Sequence, residues 1–373
     1  VAAGRGVISD AELDALRALE GSRLAVPARP HVEFATVDTI RNFARSTGDD
    51  NPLYCDPAVA ERSVHGGLIA PQLFPLASGT DAPGAPTSEP EAMRALRGGH
   101  VEVLLDTWHF HAPVRPGVRL TRTDTLTEVS RSEGRTPSIV MTVESRYTNG
   151  STLHATHERK RRHVLDHRAI HAPREKARYT DAEIDAIERA IAAWSRRGAT
   201  PRLCTSVAET EHIGPLVKGP LTVTDLVAYR GGVGAGPFDV EPLELAIQNR
   251  AKRPGFYDRT DTNAWDARER LHWDEAYAQQ QGHISAYDYS HTRLVWAAQL
   301  LTDWMGDSGR LEWISFRQLE NNYVGDTQWL RAVITRVARR ENDGTVEISF
   351  DAHNQLGGAP TASGAASVVL PMR

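Results

Sequence analysis

Cysteine is almost absent. Cys55 and Cys204 are the only two in 373 residues, too few for a disulfide framework and without the C-x-x-C spacing of a thiol redox or zinc site. No apolar run approaches the roughly 18 residues that span a bilayer, and the first residues, VAAGRGVISDAELDAL, lack the apolar core of a secretory signal. Excess charge is lacking too: 43 basic against 48 acidic residues leave a formal charge of −5, which argues against a surface built for nucleic acid. No low-complexity block interrupts a composition of 40% apolar and 24% charged residues, the balance of a chain able to build two ordinary cores. These absences predict a soluble, cytoplasmic protein with neither membrane nor nucleic-acid partners.

What is present is a repeat. TVDTIRNFARSTGDDNPLYCDPAVA at residues 36–60 returns, degraded, as TVTDLVAYRGGVGAGPF from residue 222 and HWDEAYA from residue 272. DAELDAL at Asp10–Leu16 returns as DAEIDAI at Asp181–Ile187. The distance between copies grows from 171 residues at the first pair to 186 at TVDTI/TVTDL and 218 at YCDPAVA/HWDEAYA, so the second copy carries insertions, the largest between Phe238 and His272. A period near 190 residues is too long for a solenoid and reads as duplication of a whole domain. The expected units are 1–168 and 169–373, with residues 168–179 as linker.

Each copy repeats one order of elements. Ser9 with Glu12, and Thr180 with Glu183, have the S/T-x-x-E form of a capping box that opens a helix. VDTIRNFARSTG reads as a second helix ending at Gly48, before the turn-forming DDNP. A central helix is expected near residues 67–79 in the first copy and 287–305 in the second, where Leu294, Ala297, Ala298 and Leu301 recur at helical spacing. Long Val/Thr/Ile-rich alternating stretches follow in both copies, joined by RSEGRT, TNGS, ENDGT and LGGAP, all suited to hairpins. A helix on one face of a bent antiparallel sheet is an α+β layer arrangement.

The run GDDNPLYCD after a short helix, then an apolar helix, then a strand ending in RPG, resembles the MaoC-like hydratase/dehydratase family. YDYSHTRLVWAAQLLTDWMGD, RQLENNYVGDTQWLRAVITRV and the closing NQLGG to VVLPMR resemble its duplicated members. The resemblance implies a double hot-dog fold, in which two tandem units each wrap a central helix in a bent antiparallel sheet and pack side by side into a continuous sheet. It also implies an acyl thioester of coenzyme A or of an acyl carrier protein as substrate. No cofactor or metal is implied, and a homodimer of such chains is compatible with it.

The family's motif is D-x-N-P-x-H. Here Asp49, Asn51 and Pro52 match, but Tyr54 stands where the histidine belongs. In the second copy His272 holds the histidine position and Ala235 that of the aspartate. Hydration of an enoyl thioester needs a base for water, an acid for the α-carbon and donors for the thioester oxygen. A phenol of pKa about 10 is a poor base near neutrality, although Tyr54 can donate a hydrogen bond. Candidate replacements are Asp288 and His291 at the expected start of the second central helix, three residues apart and so able to share a helical side. The same residues also read as an ordinary helix cap and an interface histidine. The catalytic candidates are therefore Asp49, Tyr54, Asp288 and His291, gathered at one inter-unit cleft. The substrate-binding candidates are Asn51, His65, Gly66, Tyr287, Tyr289 and His272. For Asp49 and Asn51 the competing reading is an Asx-type structural turn, and for His65, packing.

Other features carry less. The glycines of YRGGVGAGP lack the Lys-Ser/Thr of a phosphate loop and read as a flexible turn. His154, His157, His163, His167 and His171 have no tight metal-ligand pattern. HERKRRHVLDHR could meet coenzyme A phosphates, but reads better as an edge strand guarded by charge. The insertion AIQNRAKRPGFYDRTDTNAWDARER is expected to line or cover the acyl end. Two readings compete with a hydratase or dehydratase: a hot-dog thioesterase with Asp49 or Asp288 activating water, and a subunit that binds an acyl thioester without turning it over.

Overall fold

The computed structural model describes residues 8–24, 30–79, 91–96, 100–132, 138–164, 174–234 and 242–373. The strands of the main sheet are β1 (Arg23–Leu24), β2 (His100–Phe110), β3 (Thr121–Ser132), β4 (Ser138–Asn149), β5 (Thr152–Val164), β6 (His212–Lys218), β9 (Arg310–Gln318), β10 (Gln328–Arg339), β11 (Asp343–Asn354) and β12 (Ala362–Pro371). They form one ten-stranded sheet in the order β1-β3-β4-β5-β2-β9-β12-β11-β10-β6. Within each half all pairings are antiparallel, and the halves meet where β2 pairs with β9 through Asp106↔Phe316, Thr107↔Ser315, Trp108↔Ile314 and His109↔Trp313. The continuous sheet expected from the duplication is present. The expected boundary at 168/169 lies outside the described residues. The later part of the expected linker is pinned to the second unit: Arg174 pairs with Asp326, and the Tyr179 hydroxyl donates to Gly325 O at 2.9 Å.

The helices follow from local signals. α1 (Asp10–Arg17) and α6 (Asp181–Ala193) each open on the expected capping box, in which the cap side chain accepts from the third residue and that residue's carboxylate reaches back. α2 (Val37–Ser46) buries Ile40, Phe43 and Ala44 at helical spacing. α3 (Pro52–Cys55) and α4 (Pro57–Glu61) each begin at a proline whose missing N–H is not needed there. α5 (Pro75–Gly79) is all that forms of the expected 67–79 helix. Pro71 and Pro75 cannot donate to a helical ladder, and the chain between them takes tighter turns such as Phe74 N to Pro71 O at 2.9 Å. The segment is nonetheless core: Leu68, Ile69, Leu73 and Phe74 are buried.

α7 (Val223–Val233) contains Arg230–Val233, so the first half of the expected glycine turn is helical, and residues 235–241, Ala235 among them, lie outside the described set. Gly232 serves packing, whereas a Cβ on Gly231 would meet open space. A Cβ on Gly232 would sit 2.2 Å from Ser46 Oγ and 2.6 Å from Asn42 O, so α7 can lie against α2 of the first unit only with glycine at this point. The insertion folds into α8 (Leu243–Lys252) and a two-stranded ribbon of β7 (Tyr257–Arg259) and β8 (Trp265–Ala267), followed by α9 (Glu275–Gln280). The second central helix, α10 (Thr292–Met305), starts five residues later than expected, because Tyr287 bridges Tyr323 and Asp288 N donates to Asn322 O at 2.9 Å, holding 286–288 extended. All fourteen residues of α10 are buried.

β5 corrects another expectation. It lies between β4 and β2, inside the sheet; Arg159 and Arg162 are met by Asp106 and Glu102 of the adjacent β2, and Lys160 by Glu128 of β3, beyond β4. Gly232→Val is expected to cost about 1–3 kcal/mol by forcing α2 and α7 apart. Urea unfolding would measure it, and an unchanged midpoint would show that the contact tolerates a side chain.

Candidate functional site

Asp49 sits where the chain leaves α2. Its Oδ1 accepts from Asn51 N at 2.9 Å, and Asn51 Oδ1 in turn accepts from Leu53 N at 3.0 Å. The D-x-N-P run therefore shapes two successive side-chain turns that lead into α3. Asp49, Asn51 and Tyr54 are all buried. The second half of α10 covers them: Trp296 Nε1 donates to Thr47 O at 3.1 Å, and Asp303 lies close enough to act on Asp49 and Tyr54 electrostatically.

Arg196, which follows α6, ties the group together. Its Nη2 lies 3.3 Å from Asp49 Oδ1 and 2.8 Å from Asp50 Oδ1, and its Nε donates to Asp303 Oδ1 at 2.9 Å. Trp194 Nε1 donates to the other Asp303 oxygen at 2.9 Å, and Lys218 Nζ to Gly48 O at 3.1 Å. Burial, reinforced by Asp303, pushes the Asp49 carboxyl up to about 6, against the opposing pull of Asn51 N–H, Arg196 and Lys218. Burial lowers the Lys218 ammonium to about 8. The Tyr54 phenol, buried and facing two carboxylates, is held well above its ordinary value and stays a donor. Its hydroxyl reaches toward Gln72 Oε1 at 3.5 Å. His65 Nε2 lies 3.1 Å from Asp307 O beyond the end of α10, while Arg115 Nη2 donates to His65 O at 2.8 Å. Gly66 takes φ +59 beside it. His65 thus bridges the units at the margin of this cluster.

The second-copy candidates gather elsewhere, at the opposite end of α10. Asp288 and His291 do not share a helical side, since both precede the helix. Asp288 Oδ2 accepts from Arg293 Nε at 3.0 Å and is fully buried, a structural pairing that also anchors Arg293 to Thr361 O and Glu320 O. His291 turns to the first unit's sheet, its Nε2 lying 3.8 Å from Asp106 Oδ2. Asp49 and the start of α10 therefore do not share one cleft. His272 donates from Nδ1 to Tyr287 O at 2.8 Å and lies on the Tyr289 ring at 4.1 Å between centroids. Burial lowers its imidazole to about 4. Tyr287 and Tyr289 are likewise pushed up by burial, so both stay protonated.

Asp106, His157 and His291 bring three possible ligand atoms within 4.8 Å of one another. They suit a cation poorly. Arg159 already grips both Asp106 oxygens, at 2.6 and 3.0 Å, and His157 Nε2 donates to Oδ1 at 2.7 Å. Burial opposes the Asp106 charge, yet Arg159 and His157 hold this carboxyl well below its ordinary range. His157 is brought down to about 4 by burial and stacks on Trp108 at 4.0 Å. The cluster is a satisfied ion pair with an imidazole on each side. Arg196, Asp303, Lys218, Asp106 and Glu269 were not singled out from sequence, because each acquires its neighbours only through contacts distant in the chain.

The family described as FAS1-like, dehydratase domain region, matches residues 29–157. A UPF0336 protein of Parafrankia sp. (strain EAN1pec) is 35% identical over 116 residues, 31% of this chain and 74% of that protein. Another from Clavibacter michiganensis subsp. michiganensis is 28% identical over 121 residues, covering 31% and 75%. Among solved structures, a MaoC-like dehydratase superposes with TM-score 0.63 at 17% identity over 96% of this chain and all of that one. A Mycobacterium tuberculosis protein described as having a double hotdog fold gives 0.55 at 10% identity, covering 96% and 98%. Identities this low speak to fold alone. The fold is the double hot dog, one chain holding both units. By its relatives and its motif the chain belongs to the MaoC-like hydratase/dehydratase family.

Two outcomes are expected. Folded Asp49 keeps its proton to higher pH than an unfolded carboxyl of pKa about 3.9, so the native state binds the extra proton between about pH 4 and 6. Wild-type stability should fall relative to Asp49→Asn as pH rises through that window; urea midpoints at several pH values would show it, and the opposite slope would rule out the raised pKa. Asp106→Ala strands Arg159 at the seam and should cost about 3–5 kcal/mol, read as a lowered thermal midpoint.

Proposed function

We propose that the protein hydrates an enoyl thioester, or dehydrates a 3-hydroxyacyl thioester, carried by coenzyme A or an acyl carrier protein, with Asp49 as its base. The observation that carries this reading is Asp49 itself: a buried carboxyl titrating near 6 in the family's motif, half ionised close to neutrality and so suited to take and return a proton. In the hydration direction the carboxylate takes one proton from water as the oxygen bonds to C3. The C2=C3 π pair moves to C2, and the thioester oxygen carries charge that the Tyr54 hydroxyl, a donor at neutral pH, can meet. Asp49 then returns the proton to C2, and dehydration is the reverse.

A binding-only role has one observation in its favour. Arg196 ties Asp49 Oδ1 to Asp303 and so sets a cation against the carboxyl that would act as base. Incubation with enoyl and 3-hydroxyacyl thioesters followed by mass spectrometry separates the readings. A change of 18 mass units is the expected outcome, free thiol would indicate a thioesterase, and no change would leave binding alone. Asp49→Asn is expected to lower turnover at this cluster by about 10²-fold or more, and the rate there should rise with pH through about 6. Full activity in that variant would remove Asp49 from the chemistry.

A further inference from the structure

Glu269 Oε2, near the start of α10, is buried without a hydrogen-bond partner, in a residue more than nine-tenths buried. The buried Tyr229 and Thr292 hydroxyls lie against each other at the same helix end. A buried carboxylate oxygen left open marks a place that receives a polar guest. α10 also begins without a side-chain cap; Thr292 N donates to Tyr289 O at 2.9 Å, and the N–H groups that follow it in the first turn face the helix start, where a negative oxygen is favoured.

The surrounding groups are ordered. Tyr229 of α7 stacks on Tyr289 at 5.4 Å, with its hydroxyl beside Thr292. The Tyr289 hydroxyl donates to Glu269 Oε1 at 3.0 Å, and Arg230 Nε donates to the same oxygen at 3.1 Å, which fixes the carboxylate and leaves Oε2 open. His272 also stacks on Tyr289, at 4.1 Å, and with Nδ1–H given to Tyr287 O its Nε2 is left as an acceptor. Glu269 comes from the insertion that the first unit lacks. It stands three residues before the histidine that the second copy kept, in the copy that has Ala235 at the aspartate position.

We propose that the start of α10 is a second acyl-thioester site, separate from the Asp49 cluster, in which Glu269 takes the place of the missing aspartate and acts beside His272. The substrate class rests on the reading given under Proposed function; the site does not depend on Asp49. The Thr292 and Tyr229 hydroxyls and the helix N–H groups receive the thioester oxygen, and His272 Nε2 accepts a hydrogen bond from the water and orients it. Glu269 Oε2 takes one proton from that water as its oxygen bonds to C3. The π pair moves to C2, and the same proton is returned there. Dehydration reverses each step.

The test uses the full chain, with crotonyl-CoA and 3-hydroxybutyryl-CoA as turnover substrates, in wild type, Asp49→Asn, Glu269→Gln and the double variant. The expected result is turnover remaining in Asp49→Asn that Glu269→Gln lowers by a further 10²-fold or so with thermal midpoint unchanged. A change under about twofold in that background, or a dead Asp49→Asn beside a fully active Glu269→Gln, overturns the second site. If the wild type turns over neither substrate, the functional reading fails on its own, and titration with butyryl-CoA, which cannot react, decides the inference. Two equivalents bound per chain, falling to one in Glu269→Gln, would uphold it. The same stoichiometry in both proteins would end it.

Discussion

Four residue pairs between β2 and β9 make one sheet of two, and the placement of every candidate side chain follows from that seam. Once the halves are joined, α10 has no free face and must bury Thr292, Arg293, Gln299, Thr302 and Asp303 with its apolar residues. Buried polar groups need partners, and the first unit supplies some of them: Thr47 O for Trp296, and Asp49 through the Arg196 that Asp303 holds. The helix is both a core element and the element that brings charge to the motif.

The two ends of α10 have diverged in character. The far end meets Asp49, Asp50, Arg196, Lys218 and Asp303, an ionic cluster in which burial and like charge raise a carboxyl. The near end meets Tyr229, Tyr289 and His272 as stacked rings, with Tyr287 edge-on to His272, flanked by the Glu269–Arg230 and Asp288–Arg293 pairs. Each copy lost a different half of the family's pair, so each environment has had to adjust to a different remaining group.

Local features were legible in the sequence and long-range ones were not. The capping boxes at Ser9 and Thr180, the helix at Val37–Ser46 and the hairpin strands rest on contacts a few residues apart, and each was expected from its own letters. The duplication made the continuous sheet legible as well. The early start expected for α10 failed because Tyr287 is held extended by Tyr323, thirty-six residues away, and the first central helix failed because two prolines outweighed an apolar pattern. β5 read as an edge since the acids that answer its Arg and Lys residues lie on β2 and β3. Among the candidates, Asp49 was placed by its motif, whereas Arg196, Asp303 and Glu269 have no local signature and become visible only through their neighbours.

The seam between β2 and β9 lies within one polypeptide. In an assembly of separate subunits such a junction opens on dilution, and every change to one face is copied onto the other. Here the effective concentration of one half for the other is set by the connecting chain, on the order of millimolar for a short tether, so the junction holds at any protein concentration. Either half can also accept an insertion or lose a side chain without imposing it on its twin, which is how one copy can carry Glu269 on an added segment while the other keeps Asp49 where the motif put it.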